Sequence, residues 1–345
     1  MLYKEYIRVK YISIHKVGNK LNAEGVSISN SNLNIEEKLE RTLSDYFLSP
    51  FKANEYFKFY HNIDISMNEV FVCVSDIFDN PEVLHEQSVN LAKHLYEQST
   101  HPKIRGGEFY TVYFKDCIID EKTVDAIGLF KSENKDTFLK VYSSGGNFKI
   151  ESQQGVNINK LDKGCLIFNI EKENGYVVAV VDNTNKGAEA QYWLDDFLHV
   201  RQRQDEYYNT QNILSLYKSF IKNELPEHFE VSKADQADLL NKSVKFFKEN
   251  NSFNMDKFTK EVIGQNDIIE SFKQFKTEYQ KERDISISDN FSISDSAVKK
   301  GTKTLKSIIK LDKNFDIFIH GNRDLIEQGV DEKGKYYKVY YKEES

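Results

Sequence analysis

Gly164-Cys165-Leu166-Ile167-Phe168-Asn169-Ile170-Glu171-Lys172-Glu173-Asn174-Gly175-Tyr176-Val177-Val178-Ala179-Val180-Val181-Asp182 sets two apolar, β-branched runs on either side of Glu173-Asn174-Gly175. Short apolar runs bounded by turn residues read as buried strands, and an Asn-Gly pair between two of them is a hairpin signal. The same texture extends upstream. Phe109 to Ile119, Asp125 to Lys131, Thr137 to Tyr142, Asn147 to Ser152, Gly164 to Glu171 and Tyr176 to Asp182 are six strand candidates, with Ser144-Gly145-Gly146-Asn147 as a further turn. Consecutive short strands with short links predict an antiparallel meander rather than βαβ units.

Before this region, Tyr6 to Ile14 reads as a strand, and Leu39, Leu43 and Phe47 share one face of a helix from about Ile35 to Leu48. Asn80 is an N-cap candidate with Pro81 at the first helical position, opening a helix that carries Leu84, Leu91, Ala92 and Leu95 and ends before Pro102. After it, Lys186 to Val200 holds the only tryptophan, and Ala190, Trp193, Leu194 and Phe197 predict a short amphipathic helix. Four helical patterns follow: Ile213, Leu216, Tyr217 and Phe220; Leu240, Val244 and Phe247, capped at Ser232; Phe258 and Val262, closed by Gly264; and Ile268, Phe272, Phe275 and Tyr279. Strand candidates return at Asp284 to Ser294, Phe315 to His320 and Tyr336 to Lys342. The expected class is α+β: an N-terminal domain (1–203) on an antiparallel sheet, then a C-terminal domain (204–345) with a helical insert and a smaller sheet.

The bulk composition narrows the function classes. A chain of 345 residues, with 39% hydrophobic and 29% charged side chains, is long enough for two self-sufficient cores. Cys73, Cys117 and Cys165 are odd in number, widely spaced and set in apolar, strand-like runs, which predicts buried thiols rather than disulfides or a zinc site. No charged-then-apolar leader opens the chain and no apolar stretch reaches membrane-spanning length, so a cytoplasmic protein without a membrane partner is expected. The formal charge of −7 argues against indiscriminate coating of nucleic acid and leaves room for a local basic stripe.

Hydrolase, P-loop and dinucleotide glycine motifs are absent from the sequence. Asp195 and His199, with Asp196 beside them, fall one turn apart, but two ligands on one turn fall short of the three or four that a metal site needs. Glu133-Asn134-Lys135 has the acid-x-Lys spacing of a metal-dependent nuclease, yet it sits in a turn between strands. Lys103-Ile104-Arg105-Gly106-Gly107 could offer backbone N–H groups and charge to a phosphate; alternatively it is a helix-to-strand link in which glycine supplies a positive φ. The run Lys299-Lys300-Gly301-Thr302-Lys303-Thr304-Leu305-Lys306-Ser307-Ile308-Ile309-Lys310 holds five lysines and no acid. Lysine without arginine or stacking aromatics points to the phosphate backbone, and a solvated surface face fits the same residues. Arg201 and Arg203 form a second basic point.

Gly128-Leu129-Phe130-Lys131, Phe138-Leu139-Lys140-Val141, Asp182-Asn183 and Ala190-Gln191-Tyr192-Trp193-Leu194-Asp195-Asp196-Phe197-Leu198, in that order, resemble the nucleoid-associated protein family typified by NdpA (YejK). The Lys103–Gly107 link is similar to that family's entry to its central strands. The resemblance covers roughly Tyr3 to Tyr340 and is sharpest between His101 and Val200. It implies a bacterial protein found with the nucleoid, a double-stranded DNA partner, no cofactor and no catalytic residues. Lys299, Lys300, Lys303, Lys306 and Lys310 are therefore the leading DNA-contact candidates, with Lys103, Arg105, Arg201 and Arg203 secondary. An adaptor that reaches the nucleoid through a DNA-processing protein is the alternative, and a nuclease using Asp195, Asp196 and His199 a minor one; self-association is left open.

Overall fold

The computed structural model describes residues 7–52, 55–119, 121–184, 192–305, 308–311, 313–319 and 323–343. It divides into two compact units, Met1–Arg203 and Gln204–Ser345. The first is built of β1 (Arg8–Val17), β2 (Val26–Ser27), α1 (Glu37–Leu48), β3 (Tyr56–Phe59), α2 (Glu69–Asp79), α3 (Leu84–Gln98), β4 (Gly107–Ile119), β5 (Lys122–Ser132), β6 (Asp136–Ser144), β7 (Asn147–Gly155), β8 (Lys163–Phe168), β9 (Val177–Asp182) and β10 (Val200–Gln202). Eight of these strands form one antiparallel sheet in the order β10-β3-β9-β8-β5-β4-β1-β2.

Both faces of this sheet are covered, which is why its central strands read as unbroken apolar runs. Ile127 and Leu129 of β5, Cys165 and Ile167 of β8 and Val178 of β9 pack with Val70, Val74, Ile77, Leu91 and Leu95 of α2 and α3. The alternate residues Ala126, Phe130, Leu166, Phe168, Val177 and Ala179 pack with Tyr46, Phe47 and Leu48 of α1. Phe47 stacks on Phe130 with ring centres 4.3 Å apart.

All six central strand candidates are present, but they do not form a simple meander. β6 and β7 leave the sheet as a separate two-stranded ribbon, so β5 pairs directly with β8. The turn between them places Gly145 and Gly146 at φ of 60° and 81°, the left-handed region that a tight hairpin of this twist requires. The first strand runs Arg8–Val17, three residues beyond its expected end. Cys73 lies on helix α2 rather than in a strand; Cys117 and Cys165 are in strands, and all three thiols are free and buried. Asn80 caps the turn Pro81–Val83, accepting from the Glu82 N–H, and that turn leads into α3.

The expected tryptophan helix is much shorter than its pattern. Residues 186–191 lie outside the described residues; Leu194–Leu198 form one π-helical turn, which His199 ends at φ 51°, and Val200 already belongs to β10. Trp193 is fully buried, its ring 4.9 Å from that of Phe197.

His15 of β1 is buried, with Nε2 2.8 Å from the Ser88 hydroxyl of α3 and Nδ1 accepting from the Ser29 N–H at 3.2 Å. Burial, and then the neighbouring His85, lower its pKa from 6.5 to about 4. The imidazole is thus held neutral in the fold while the unfolded chain takes up a proton below pH 6.5. Its contribution is complete above pH 6.5 and lost as pH falls to about 4. Denaturant midpoints of the whole chain are expected to drop over that window, and His15→Gln to flatten that part of the profile.

The second unit comprises α4 (Glu206–Ser219), α5 (Leu225–His228), α6 (Lys233–Glu249), β11 (Ser252–Asn254), α7 (Met255–Phe258), α8 (Asn266–Arg283), β12 (Asn290–Ser292), α9 (Asp295–Thr302), β13 (Ile308–Leu311), β14 (Phe315–Phe318), β15 (Ile326–Asp331) and β16 (Gly334–Val339). Its helices share a core in which Tyr217 meets Phe258 and Phe272 edge-on at 5.0 and 5.6 Å. Ser232 and Asp235 form a full capping box on α6, and Gly264, at φ 80°, ends the turn after α7. The strand expected over Asp284–Ser294 is reduced to β12, paired with β11, while β13–β14 and β15–β16 are hairpins. His320 lies outside the described residues. Among the described residues, no helix is long and apolar enough to cross a membrane.

Candidate nucleic-acid interface

Strand alternation sorts the residues of the β3–β10 edge. Phe59 and Val200 turn into the core on the α2–α3 side, so Lys58 and Arg201, directly opposite one another, share the other face. The pairing continues past the regular strands: the Tyr60 N–H donates to the His199 carbonyl at 3.2 Å, and the Arg203 N–H to the Tyr56 carbonyl at 3.0 Å. One side of the edge therefore carries three rows, Tyr56–Arg203, Lys58–Arg201 and Tyr60–His199. The Arg201 guanidinium lies 5.2 Å from the Tyr60 ring centre, and the His199 ring 4.7 Å from Tyr60 and 5.8 Å from His61.

Charge is crowded here. Arg203 pairs with Glu171 at 3.1 Å, whereas among the described residues neither Lys58 nor Arg201 forms an ion pair. Burial, then Arg201 and Arg203, push the Lys58 ammonium below its ordinary pKa, with Glu171 opposing. Like charges directly opposite across a strand pair are destabilising, so this arrangement costs stability unless an anion relieves it. Arg201 and Arg203 were visible in the sequence; Lys58 was not, because only the strand pairing brings it to them.

The described part of the lysine run of the second unit is divided between a helix end and a strand. Lys299 and Lys300 occupy the last turn of α9 and Lys303 caps it, all three exposed. Ala297 and Val298 anchor the other side of that helix, and the lack of a side chain at Gly301 admits Leu214 of α4, 2.7 Å from where a Cβ would stand. The Lys300 ammonium lies 5.6 Å from the Tyr207 ring centre. Lys306 falls outside the described residues. Lys310 is on β13, exposed and opposite Asp316 of β14, so the acid-free stretch of sequence is not acid-free in space. Lysines in a last helical turn also favour the helix dipole, which accounts for part of their placement without a ligand.

Lys103 and Arg105 belong elsewhere. Arg105 donates to Asn134 Oδ1 at 2.7 Å, while its carbonyl accepts from the Lys131 ammonium at 2.9 Å. Neither Gly106 nor Gly107 takes a positive φ; Gly107 serves by its lack of volume, since a Cβ there would stand 1.9 Å from the Ser132 carbonyl oxygen. Phe57, Val178, Ile167, Ile127 and Tyr113 lie in one cross-strand row, whereas β4 starts near Ser132, five residues further along β5. With five strand steps from β10 to β4, roughly 24 Å, Lys103 and Arg105 are at the opposite corner of the sheet from Arg201.

At that corner lies a buried ionic network that the sequence reading missed. Lys131 of β5 is opposite Lys163 of β8, which is opposite Asp182 of β9. Lys163, wholly buried, bonds Asp182 at 2.7 Å and the Thr184 hydroxyl at 2.6 Å. Lys131, also wholly buried, lies 3.1 Å from Glu133 and donates to the Tyr192 hydroxyl at 3.1 Å, and that hydroxyl donates to Glu133 at 2.7 Å. Asp162 accepts from the backbone N–H groups of Glu133 and Asn134 at 2.7 and 2.8 Å. Burial pushes the Lys131 pKa down and Glu133 holds it up. Lys131, Asp182 and Tyr192 all come from the quoted family-like phrases, and here they hold strand ends together.

Asp195 and Asp196 are exposed on the π-helical turn, while the His199 ring lies against Tyr60 and His61. Burial, then Asp196, raise the Asp195 pKa. These three do not form a cluster able to share an ion; among the described residues the set that does is Glu224, Glu227 and His228 in the second unit. A family model described as nucleoid-associated protein YejK matches residues 13–335. Comparison with curated proteins returns no match.

Proposed function

The chain belongs to the nucleoid-associated protein YejK family, and from that premise we propose that it binds double-stranded DNA without sequence preference, through lysine and arginine contacts to phosphates. The observation that carries this reading is the Lys58–Arg201–Arg203 group, three cations with Glu171 as their one acidic partner among the described residues, a crowding that a phosphate oxygen would relieve. Lys299, Lys300 and Lys303 at the end of α9 supply a second contact, with Lys306 and Lys103 kept as candidates; Lys310, facing Asp316, contributes less, and Arg105, bonded to Asn134, serves the fold at least as much as any ligand. No catalytic step is assigned.

Binding of a mixed-sequence duplex, followed by fluorescence anisotropy across a salt series, is the test. Affinity is expected to fall steeply with salt, and Lys58→Gln and Arg201→Gln each to weaken binding evenly across sequences and lower the log–log salt slope by about 1. Charge reversal at Lys299, Lys300 and Lys303 together should lower it further. Salt-independent binding, or none at low salt, would reject direct contact. The net charge of −7 then favours the adaptor reading, which a pull-down of a DNA-processing protein from lysate would support.

A further inference from the structure

Helices α2 and α3 fold back on one another through the Pro81–Val83 turn, and a cleft of about 390 Å³ lies between their outer sides. Glu69, Val72, Cys73 and Asp76 line it from α2 at the i, i+3, i+4, i+7 spacing of one helical face, and Gln87, Asn90, Leu91 and His94 line it from α3 at the same spacing. Leu91 and Cys73 are buried and form its floor, while Val72 and Met67, 38% and 51% exposed, stand at its rim. Glu69 and Asp76 are two helical turns, roughly 10 Å, apart, and the lining includes no lysine or arginine. Among the described residues neither carboxylate is in an ion pair. The side-chain donors of the cleft are largely spent within it: Gln87 Nε2 donates to Asp76 at 3.1 Å, Asn90 Nδ2 to Gln87 Oε1 at 3.0 Å, and the Ser66 hydroxyl to Asp64 at 2.5 Å. His94 Nε2–H donates to the Phe197 carbonyl at 3.1 Å, which in the neutral ring leaves Nδ1 as an acceptor.

We infer that this cleft docks a basic amphipathic helix of a partner protein, with two cationic side chains on Glu69 and Asp76 and an apolar pair between them on Val72, Cys73 and Leu91. Charge and hydrogen-bonding capacity select that occupant. A lining rich in acceptors and free of cations repels phosphate, and it repels a second copy of itself for the same reason; ammonium and guanidinium groups supply the donors and the charge it lacks. The secondary structure of the walls selects a helix. The backbone groups of α2 and α3 are already paired within each helix, so an extended segment finds no strand edge here, whereas a docking helix arrives with its own backbone satisfied. Matched to the spacing of α2, the partner carries Lys or Arg at positions i and i+7 and apolar residues at i+3 and i+4, and the flexible Met67 at the rim adapts to them. Helices α2 and α3 cover the face of the sheet opposite to that of Lys58 and Arg201. A helix docked on them leaves the basic edge free, so the contact goes beyond duplex binding and does not depend on it.

The probe is a fluorescein-labelled, alanine-rich peptide of about 18 residues, long enough to be helical by itself, with Arg at i and i+7 and Leu at i+3 and i+4. Its anisotropy is followed as the full chain is titrated in. Binding is expected with a dissociation constant below about 1 mM, and peptides with Ser for both Leu, or Glu for both Arg, should bind at least about tenfold more weakly. Glu69→Gln with Asp76→Gln should weaken binding about tenfold through the loss of two exposed ion pairs, and Val72→Lys should abolish it. The Glu-bearing peptide should bind the variant with Glu69→Lys and Asp76→Lys, because the charges are then exchanged across one contact. All three positions are exposed, so circular dichroism and melting temperature should stay close to the wild type, which separates loss of contact from loss of fold. Glu261→Gln with Glu270→Gln, the same charge change on exposed residues of the second unit, should leave the affinity unaltered. No binding below about 1 mM, an equal loss in that control, or failure of the charge exchange overturns the inference. So does a fall in duplex affinity on neutralising Glu69 and Asp76, which would assign the cleft to nucleic acid.

Discussion

Lys163→Ala is expected to lower the stability of the first unit by about 3–5 kcal/mol. The wild-type ammonium is wholly buried and bonded to both Asp182 and Thr184. Removing it takes from the Asp182 carboxylate, itself only 9% exposed, the ammonium that balances its charge. A buried pair adds little net stability over a well-packed apolar pair, but breaking one side of it is costly because the desolvation of the remaining charge stays unpaid. Urea unfolding followed by the emission of the single tryptophan, which belongs to this unit, measures the loss. Asp182→Asn on top of Lys163→Ala should recover part of it, since the two positions share one interaction. Lys172→Ala, which removes an exposed pair with Asp79, is the control and should change stability by less than about 1 kcal/mol. A cost as small as the control's at Lys163 would show that the network is wet and the lysine dispensable.

Trp193→Ala is expected to cost a similar amount, about 3–5 kcal/mol. The indole is fully buried between the sheet and the helices α2 and α3, packed on Phe197, and its N–H reaches the Gly164 carbonyl at 3.4 Å. Truncation removes the largest side chain of that core and leaves a cavity that the surrounding β-branched strands cannot collapse into. Because the variant has no tryptophan, circular dichroism must supply the melting curve. Asp195→Asn and Asp196→Asn, on the exposed side of the same turn, should stay within about 0.5 kcal/mol of the wild type. If the two acids cost more than the tryptophan, the turn would have to be reread as a polar site rather than a packing seam.

What the sequence disclosed follows from how locally each feature is encoded. The β8–β9 hairpin was legible because its strands adjoin in the chain and Asn174-Gly175 marks the turn. The Ser232 cap and the Gly264 stop were legible for the same reason, each being set by a few neighbouring residues. Helix α2 was not, because Val70, Phe71, Cys73, Val74, Ile77 and Phe78 mix β-branched and aromatic residues into a pattern as apolar as a buried strand. Lys131 and Lys163 look like surface lysines in one dimension; only cross-strand register buries them beside Glu133 and Asp182. The basic edge was half legible, since Arg201 and Arg203 stand together in the chain while Lys58 reaches them only through the pairing of β3 with β10. The lysine run misled in the opposite direction: Lys299, Lys300, Lys303 and Lys310, near neighbours in sequence, are dispersed over a helix end, its cap and a hairpin.

The position of β10 has a consequence for the order in which the protein is made. This strand is the last of its unit to leave the ribosome, yet it docks beside β3, one of the first. Until it arrives, β3 has an open edge and Lys58 has no Arg201 opposite it. Synthesis from the N-terminus thus delays the charged edge until the whole unit is present, because non-local strand pairing is completed late. A growing or truncated chain lacking β10 would carry the lysine without the arginines. The basic group of this edge is in this sense a certificate of a completed first unit, issued only once that unit has closed.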